Sequence, residues 1–246
     1  MARHVNSYSH TIAAACVISV LSLGPCLLEA AVGCTLTNPA QDLKYLFPEM
    51  TTYKEELREL NRLKDGKSLY QALKQRLGSD LDPVYESYET PYTLYIVFKG
   101  KVVIGIAHGV NVPGQGGLIQ IFVSTEPQTG VIRQVFFQRL ESVASRALRS
   151  KDFVGQFKGL TLADFYSHDF FTVLDPRSPK DKIAQIKSPV ADGRGREDYE
   201  ASVRGVRKNL ILLDIFVYER RFEPIYQHVR EALSKAKDAR RKGDSR

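Results

Sequence analysis

Apolar and polar positions in this chain fall into two kinds of pattern, and the first dominates residues 92–142. Four apolar blocks, 94–98, 102–107, 118–123 and 131–137, are each of strand length and rich in Val, Ile, Phe and Tyr. Turn residues separate them, so the stretch predicts an antiparallel meander. Lys99-Gly100-Lys101 predicts a hairpin connection, because glycine tolerates the positive φ that such turns require. The segment 125–130, TEPQTG, predicts another turn. Between the second and third strands lies the insert Val112-Pro113-Gly114-Gln115-Gly116-Gly117. Its closely spaced glycines would let backbone N–H groups approach a ligand.

The second pattern is helical. Leu43, Leu46 and Phe47 predict a short amphipathic helix over 41–47, stopped by Pro48. Across 55–77, Leu57, Leu60, Leu63, Leu69, Leu73 and Leu77 predict one or two helices packed on the sheet, broken at Asp65-Gly66-Lys67. Residues 82–91 read as an edge strand or loop, 140–148 and 152–157 as helical, and 175–182 and 187–197 as loops. Val203, Val206, Leu210 and Leu213 place a strong helix at 200–218, and a final amphipathic helix at 224–236 runs into a basic tail.

The first 33 residues differ from the rest. A positively tinged start, an apolar stretch at 11–28 and small residues up to Cys34 have the form of a secretory signal. Three outcomes fit: cleavage after Gly33, acylation of Cys34, or retention as an anchor. Each takes the domain out of the cytoplasm, to the periplasm or the outer face of a membrane. Cys16, Cys26 and Cys34 are the three cysteines, so the chain beyond Cys34 has no disulfide, thiol nucleophile or Cys-based metal site. The remainder divides into a domain over 39–220 and a C-terminal helix and tail over 221–246.

Charge adds one point. The net charge is +7, and Lys235 to Arg246 carries six Lys or Arg against Asp238 and Asp244. Such a tail is either a solvated helix end or a contact for anionic lipid. Nucleic acid is discounted, because no RNA-binding aromatic motif or zinc spacing accompanies the charge.

The ordered set of motifs resembles the FMN-binding domain family, found in the flavin subunits of sodium-pumping quinone reductases and Rnf complexes. The matching pieces are Gly105-Ile-Ala-His-Gly109, Pro113-Gly-Gln-Gly-Gly-Leu118, Gly130-Val-Ile-Arg-Gln-Val135, Glu141-Ser142 and Phe153-Val-Gly-Gln-Phe-Lys-Gly159. The resemblance covers roughly residues 39–215. It implies an α+β fold, a twisted antiparallel sheet flanked by helices, with FMN as cofactor and membrane electron-transfer proteins or a quinone-linked complex as partners. The site it implies takes in His108, Pro113, Gly114, Gly116, Gly117, Leu118, Glu141 and Ser142, with the flavin ring against the glycine-rich turn.

The second half departs from the family pattern. Its Ser/Thr-rich turn, where a Thr can be esterified by the FMN phosphate, is replaced by Asp192-Gly193-Arg194-Gly195-Arg196, and no Thr follows Thr172. A noncovalent phosphate site would then rest on Gly193, Arg194, Gly195 and Arg196. The other reading of this loop is an exposed turn, with Asp192 and Asp198 repelling phosphate. A flavin-free interaction module of the same fold, accessory to a membrane complex, is therefore the alternative function. His108 is either a structural histidine or a contact to a ring carbonyl, and Glu141 could act as a general base. His168 with Asp164 and Asp169 is too sparse for a metal geometry.

Overall fold

The computed structural model describes residues 34–81, 86–168, 181–190 and 193–243. The leader at 1–33, Asp169, the loop at 175–180 and Asp192 lie outside those residues.

Five strands form one open antiparallel sheet in the order β1-β2-β3-β4-β5. They are β1 Thr52–Arg58, β2 Tyr92–Lys99, β3 Val102–Gly114, β4 Gly117–Thr125 and β5 Ile132–Arg139. Helices flank both faces: α1 Pro39–Leu46, α2 Gly66–Leu77, α3 Ser145–Leu148, α4 Lys151–Val154, α5 Leu162–Tyr166, α6 Arg196–Phe216 and α7 Glu223–Gly243. The class is α+β, with the meander where the apolar blocks placed it.

Two expectations need correcting. The segment from Glu55 to Leu63 is not helical: it forms β1 and a 3-10 turn at Leu60–Arg62. Its leucines had helical spacing, but the backbone pairs with β2 in register, Glu55 opposite Tyr95 and Leu57 opposite Thr93. Leu57 is left 64% exposed, so spacing that looked like a core-facing stripe carries no burial there. The glycine-rich insert is not a separate loop either. β3 and β4 run straight through it, with Pro113 opposite Leu118 and Gly114 opposite Gly117, leaving Gln115-Gly116 as a two-residue tip. Gly117 has φ +129, which explains why a glycine closes this turn.

Each face of the sheet buries its own apolar cluster. On one side α1 and the strap before it cover Tyr95, Val97, Ala107 and Phe122, with Cys34, Leu36, Leu43 and Phe47 in the same cluster. The other side holds Leu94, Ile106, Val110, Ile121, Val123 and Phe137 against α6 and its neighbours. α6 is the central helix, buried almost continuously from Ala201 to Asp214. A Cβ at Gly205 would lie 2.5 Å from Ile121 Cδ1, so only glycine lets α6 sit this close to β4.

A helix buried on all sides must satisfy its polar residues internally. Lys208 Nζ donates to the Asp80 carbonyl at 2.6 Å, to the Asn111 carbonyl at 2.7 Å and to the Glu86 carboxylate. Arg204 forks onto Asp80, with both contacts at 3.1 Å. These bonds tie α6 to β3 and to the segments flanking 82–85.

Candidate functional site

Three segments distant in sequence meet at one end of the sheet: the tip of the β3–β4 hairpin, residues 140–144 after β5, and the start of α6. Each arrives there for a local reason. The hairpin projects because β3 and β4 are long enough to carry it beyond the other strands. The chain after β5 turns at Ser142, whose Oγ accepts the Ala144 N–H at 3.1 Å. α6 starts at Gly195, whose φ of +96 suits glycine and which offers no side-chain cap.

Asp198, in the first turn of α6, locks the hairpin to the helix. Its Oδ1 accepts the Gln115 N–H at 2.7 Å, and the residue is 1% exposed. The glycines are explained by the same packing. A Cβ at Gly114 would meet Asp198 Oδ1 at 2.7 Å, one at Gly116 would fall 1.6 Å from the Glu141 carbonyl oxygen, and one at Gly195 would lie 2.6 Å from Ala144 Cβ. The close approach that the glycines permit is therefore first of all chain against chain.

An open cleft of ≈ 590 Å³ remains between the three segments, lined by Gln115, Gly116, Glu141, Ser142, Val143, Arg194 and Asp198. Its size lies within the ~300–1,000 Å³ range of small-molecule sites. A smaller cleft of ≈ 280 Å³ opens on Pro113, Gly114, Gln115, Glu197, Glu200 and Arg204. Charges in the larger cleft are partly committed. Glu141 pairs with Arg139 at 2.8 Å, and Asp198 holds the Gln115 N–H. Arg196 is drawn along its own helix to Glu200 at 3.0 Å. Among the described residues no hydrogen bond or ion pair holds Arg194.

An FMN phosphate placed in this cleft would have to be held at one point. Arg194 is an uncommitted guanidinium beside a helix start that no side chain caps, where the backbone dipole favours an anion. Ser142 adds a hydroxyl donor. Glu141, paired with Arg139, and Asp198, bonded to the Gln115 N–H, lie in the same lining, and their negative charge opposes an anion there.

The structure thus brings together Gly114, Gly116, Glu141, Ser142 and Arg194, with Gly193 and Gly195 beside them. Pro113 borders the smaller cleft, and Gly117 and Leu118 begin β4. Arg196 reaches Glu200, and His108 lies elsewhere. Its ring is 0% exposed beneath α6, with Nδ1 3.0 Å from Asn209 Oδ1, and burial lowers its pKa to about 4. No metal-type cluster occurs among the described residues. Asp164 instead caps α5 through the Thr161 N–H at 2.8 Å, and His168 Nδ1 lies 2.7 Å from Asp181.

Sequence reasoning missed Gln115 and Val143 as lining residues and read Asp198 only as a repulsive charge. The available signal was Asp198's place in the first turn after Gly195, where a carboxylate complements the helix dipole. Cys34 is 3% exposed, and its thiol pKa is pushed up by burial. Acylation at this sulfur would require withdrawing it from the apolar cluster under α1.

No protein-family model matches the chain. A stretch of 180 residues, 68% of the chain, is 26% identical to the BOS complex subunit NCLN of Rattus norvegicus. That stretch corresponds to 30% of the rat protein, so the chain spans about a third of the length of this curated relative. Among the described residues no helix is long and apolar enough to cross a membrane.

Proposed function

We propose that this domain, exported behind its apolar leader, binds one FMN noncovalently and transfers electrons at a membrane. The observation that carries the reading is the convergence on one cleft of the glycine-rich tip, Glu141-Ser142 and the Gly193–Arg194–Gly195 turn. The FMN-binding resemblance rests on the first two of these segments, and the third stands where the family's Ser/Thr-rich turn would be. FMN would supply one- and two-electron redox chemistry. The chain's part is to hold it: Arg194 pairs with the phosphate, the start of α6 adds backbone donors, and Ser142 supplies a hydroxyl. Asp198 fixes the tip that forms the opposite wall. With no Thr after Thr172, attachment by a Thr phosphoester is chemically unavailable.

One observation favours the second reading, a flavin-free interaction module of the same fold. The space beside Gly114 and Gly116 of the tip is already filled by Asp198 and Glu141, that beside Gly195 by Ala144, and two carboxylates line the cleft. The similarity to a protein named as a complex subunit points the same way.

Absorbance of the purified protein before and after FMN addition separates the readings. Flavin bands that stay with native protein and leave on acid precipitation are expected. Arg194→Ala should weaken FMN binding about tenfold or more, the effect of losing one charge-assisted contact of ~1.5–3 kcal/mol. Colourless protein that takes up no FMN would remove the electron-transfer reading. The interaction module would then stand, with partners sought by pull-down from membranes.

A further inference from the structure

The C-terminal helix α7 is docked only at its beginning. Glu223 pairs with Arg76 at 2.5 Å, and the Arg76 guanidinium lies 4.0 Å from the centre of the Tyr226 ring. Tyr226 also meets Tyr166 at 5.2 Å. Beyond that anchor Gln227 and Arg230 still line a cleft against α2. Gln227, His228, Arg230, Glu231, Ser234 and Lys235 are all exposed, while Val229 is half-buried. The helical backbone continues to Gly243. At 1.5 Å per residue the part after Tyr226 is roughly 25 Å long.

Isolated helices of this length are marginal in water, so a surface on which this run could lie would stabilise it. Its sequence is strongly biased. From Gln227 to Gly243 six residues are Lys or Arg, against Glu231 and Asp238, a net +4 in a chain of +7. Ile225, Val229, Leu233 and Ala236 recur at intervals of four, four and three, giving one narrow apolar stripe. A basic helix with such a stripe matches an anionic lipid surface, where each Lys or Arg near the headgroups contributes about 1 kcal/mol.

We infer that the arm of α7 after Tyr226 binds peripherally to an anionic phospholipid surface, holding the domain against the membrane. Lipid is favoured over nucleic acid because an apolar stripe runs along the basic helix, and no RNA-binding aromatic motif or zinc spacing accompanies the charge. The stripe is too thin for insertion, so the binding is mainly electrostatic and falls with salt over the Debye length.

The test is co-sedimentation of the full chain with phosphatidylglycerol vesicles, phosphatidylcholine vesicles and a duplex DNA oligonucleotide, at low and high salt. A variant carrying Lys235→Ser, Lys237→Ser, Arg240→Ser, Arg241→Ser and Lys242→Ser is run alongside. The wild type should prefer the anionic vesicles, and the variant should bind them at least a hundredfold more weakly with an unchanged thermal melting temperature. Equal binding to both vesicle types, or no loss in the variant, would overturn the proposal by assigning attachment to the leader. Tighter binding to DNA than to the anionic vesicles would overturn it in favour of nucleic acid. A Tyr226→Ala variant, which frees the anchor but keeps the charge, should still bind vesicles; loss of binding there would also count against an electrostatic arm.

Discussion

Asn209 grips His108 from two sides. Its Nδ2 donates to the His108 carbonyl at 2.8 Å and to the Ile121 carbonyl at 3.1 Å, while its Oδ1 faces the ring Nδ1 at 3.0 Å. The two carbonyls fix which way the amide points. Oδ1 is therefore the acceptor, Nδ1 carries the proton, and Nε2 is a buried lone pair with no hydrogen-bond partner among the described residues. The ring is held neutral, with its pKa lowered from 6.5 to about 4 by burial. In the unfolded chain this histidine protonates near its ordinary value. The stability it contributes is thus intact above pH 6.5 and is lost as pH falls toward 4, by up to about 3 kcal/mol. Urea midpoints measured from pH 7 to pH 4 should show this loss in the wild type and a smaller one in His108→Gln.

Asp214 works in the opposite direction over an overlapping range. Burial raises its pKa from 3.8 to about 6, although its carboxylate accepts the Phe222 N–H. A raised carboxyl pKa favours the folded state at low pH, and that contribution disappears as pH rises through 6. Asp214→Asn keeps an acceptor for Phe222 and removes the charge. It should melt higher than the wild type at pH 7.5 and show little advantage at pH 4.

Lys208 carries a different liability. Its ammonium is fully buried against the Glu86 carboxylate and two carbonyls. Lys208→Ala leaves Glu86 without its cation and should cost about 3–5 kcal/mol in chemical denaturation. Lys208→Ala combined with Glu86→Gln should recover part of that loss, because the carboxylate charge that Lys208 balanced is then gone as well.

Gly116 and Gly155 give a sharp contrast. Gly116→Ala forces a Cβ into the Glu141 carbonyl, so the hairpin tip must lift from the 140–144 segment. Gly155 has φ −66, and no atom lies within 4 Å of the place an alanine Cβ would take, so alanine there is accommodated. Gly116→Ala should lower the melting temperature by several degrees, whereas Gly155→Ala should leave it unchanged or raise it slightly through reduced unfolded-state freedom, worth ~0.4–1 kcal/mol.

Strands β2 to β5 were legible in the sequence because each is a contiguous apolar block and each turn is set by its own residues. β1 was not, because its edge position relieves Leu57 of burial, and Leu57 with Leu60 and Leu63 beyond the strand then mimics a helix. The cleft was half legible. Gly114, Gly116, Glu141, Ser142 and Arg194 could be named from motif order, but that Gly116 serves Glu141 and Gly195 serves Ala144 depends on distances between segments far apart in the chain. Lys208 and Asn209 gave no warning, since a polar pair within an apolar helix ordinarily marks its solvent face. Here the helix has no such face.

The route of α6 across the sheet also governs how the chain can assemble. β2 to β5 join through successive hairpins, whose contacts form between near neighbours and therefore quickly. α6 reaches its partners only by closing long loops: Asn209 and His108 are 101 residues apart, and Lys208 and Glu86 are 122. Such closure is slow and entropically costly, so the hairpins should be in place before α6 docks. Until then one apolar face of the meander stands uncovered, and a nascent chain ending before Arg196 would present it to any neighbouring sheet as a surface for aggregation.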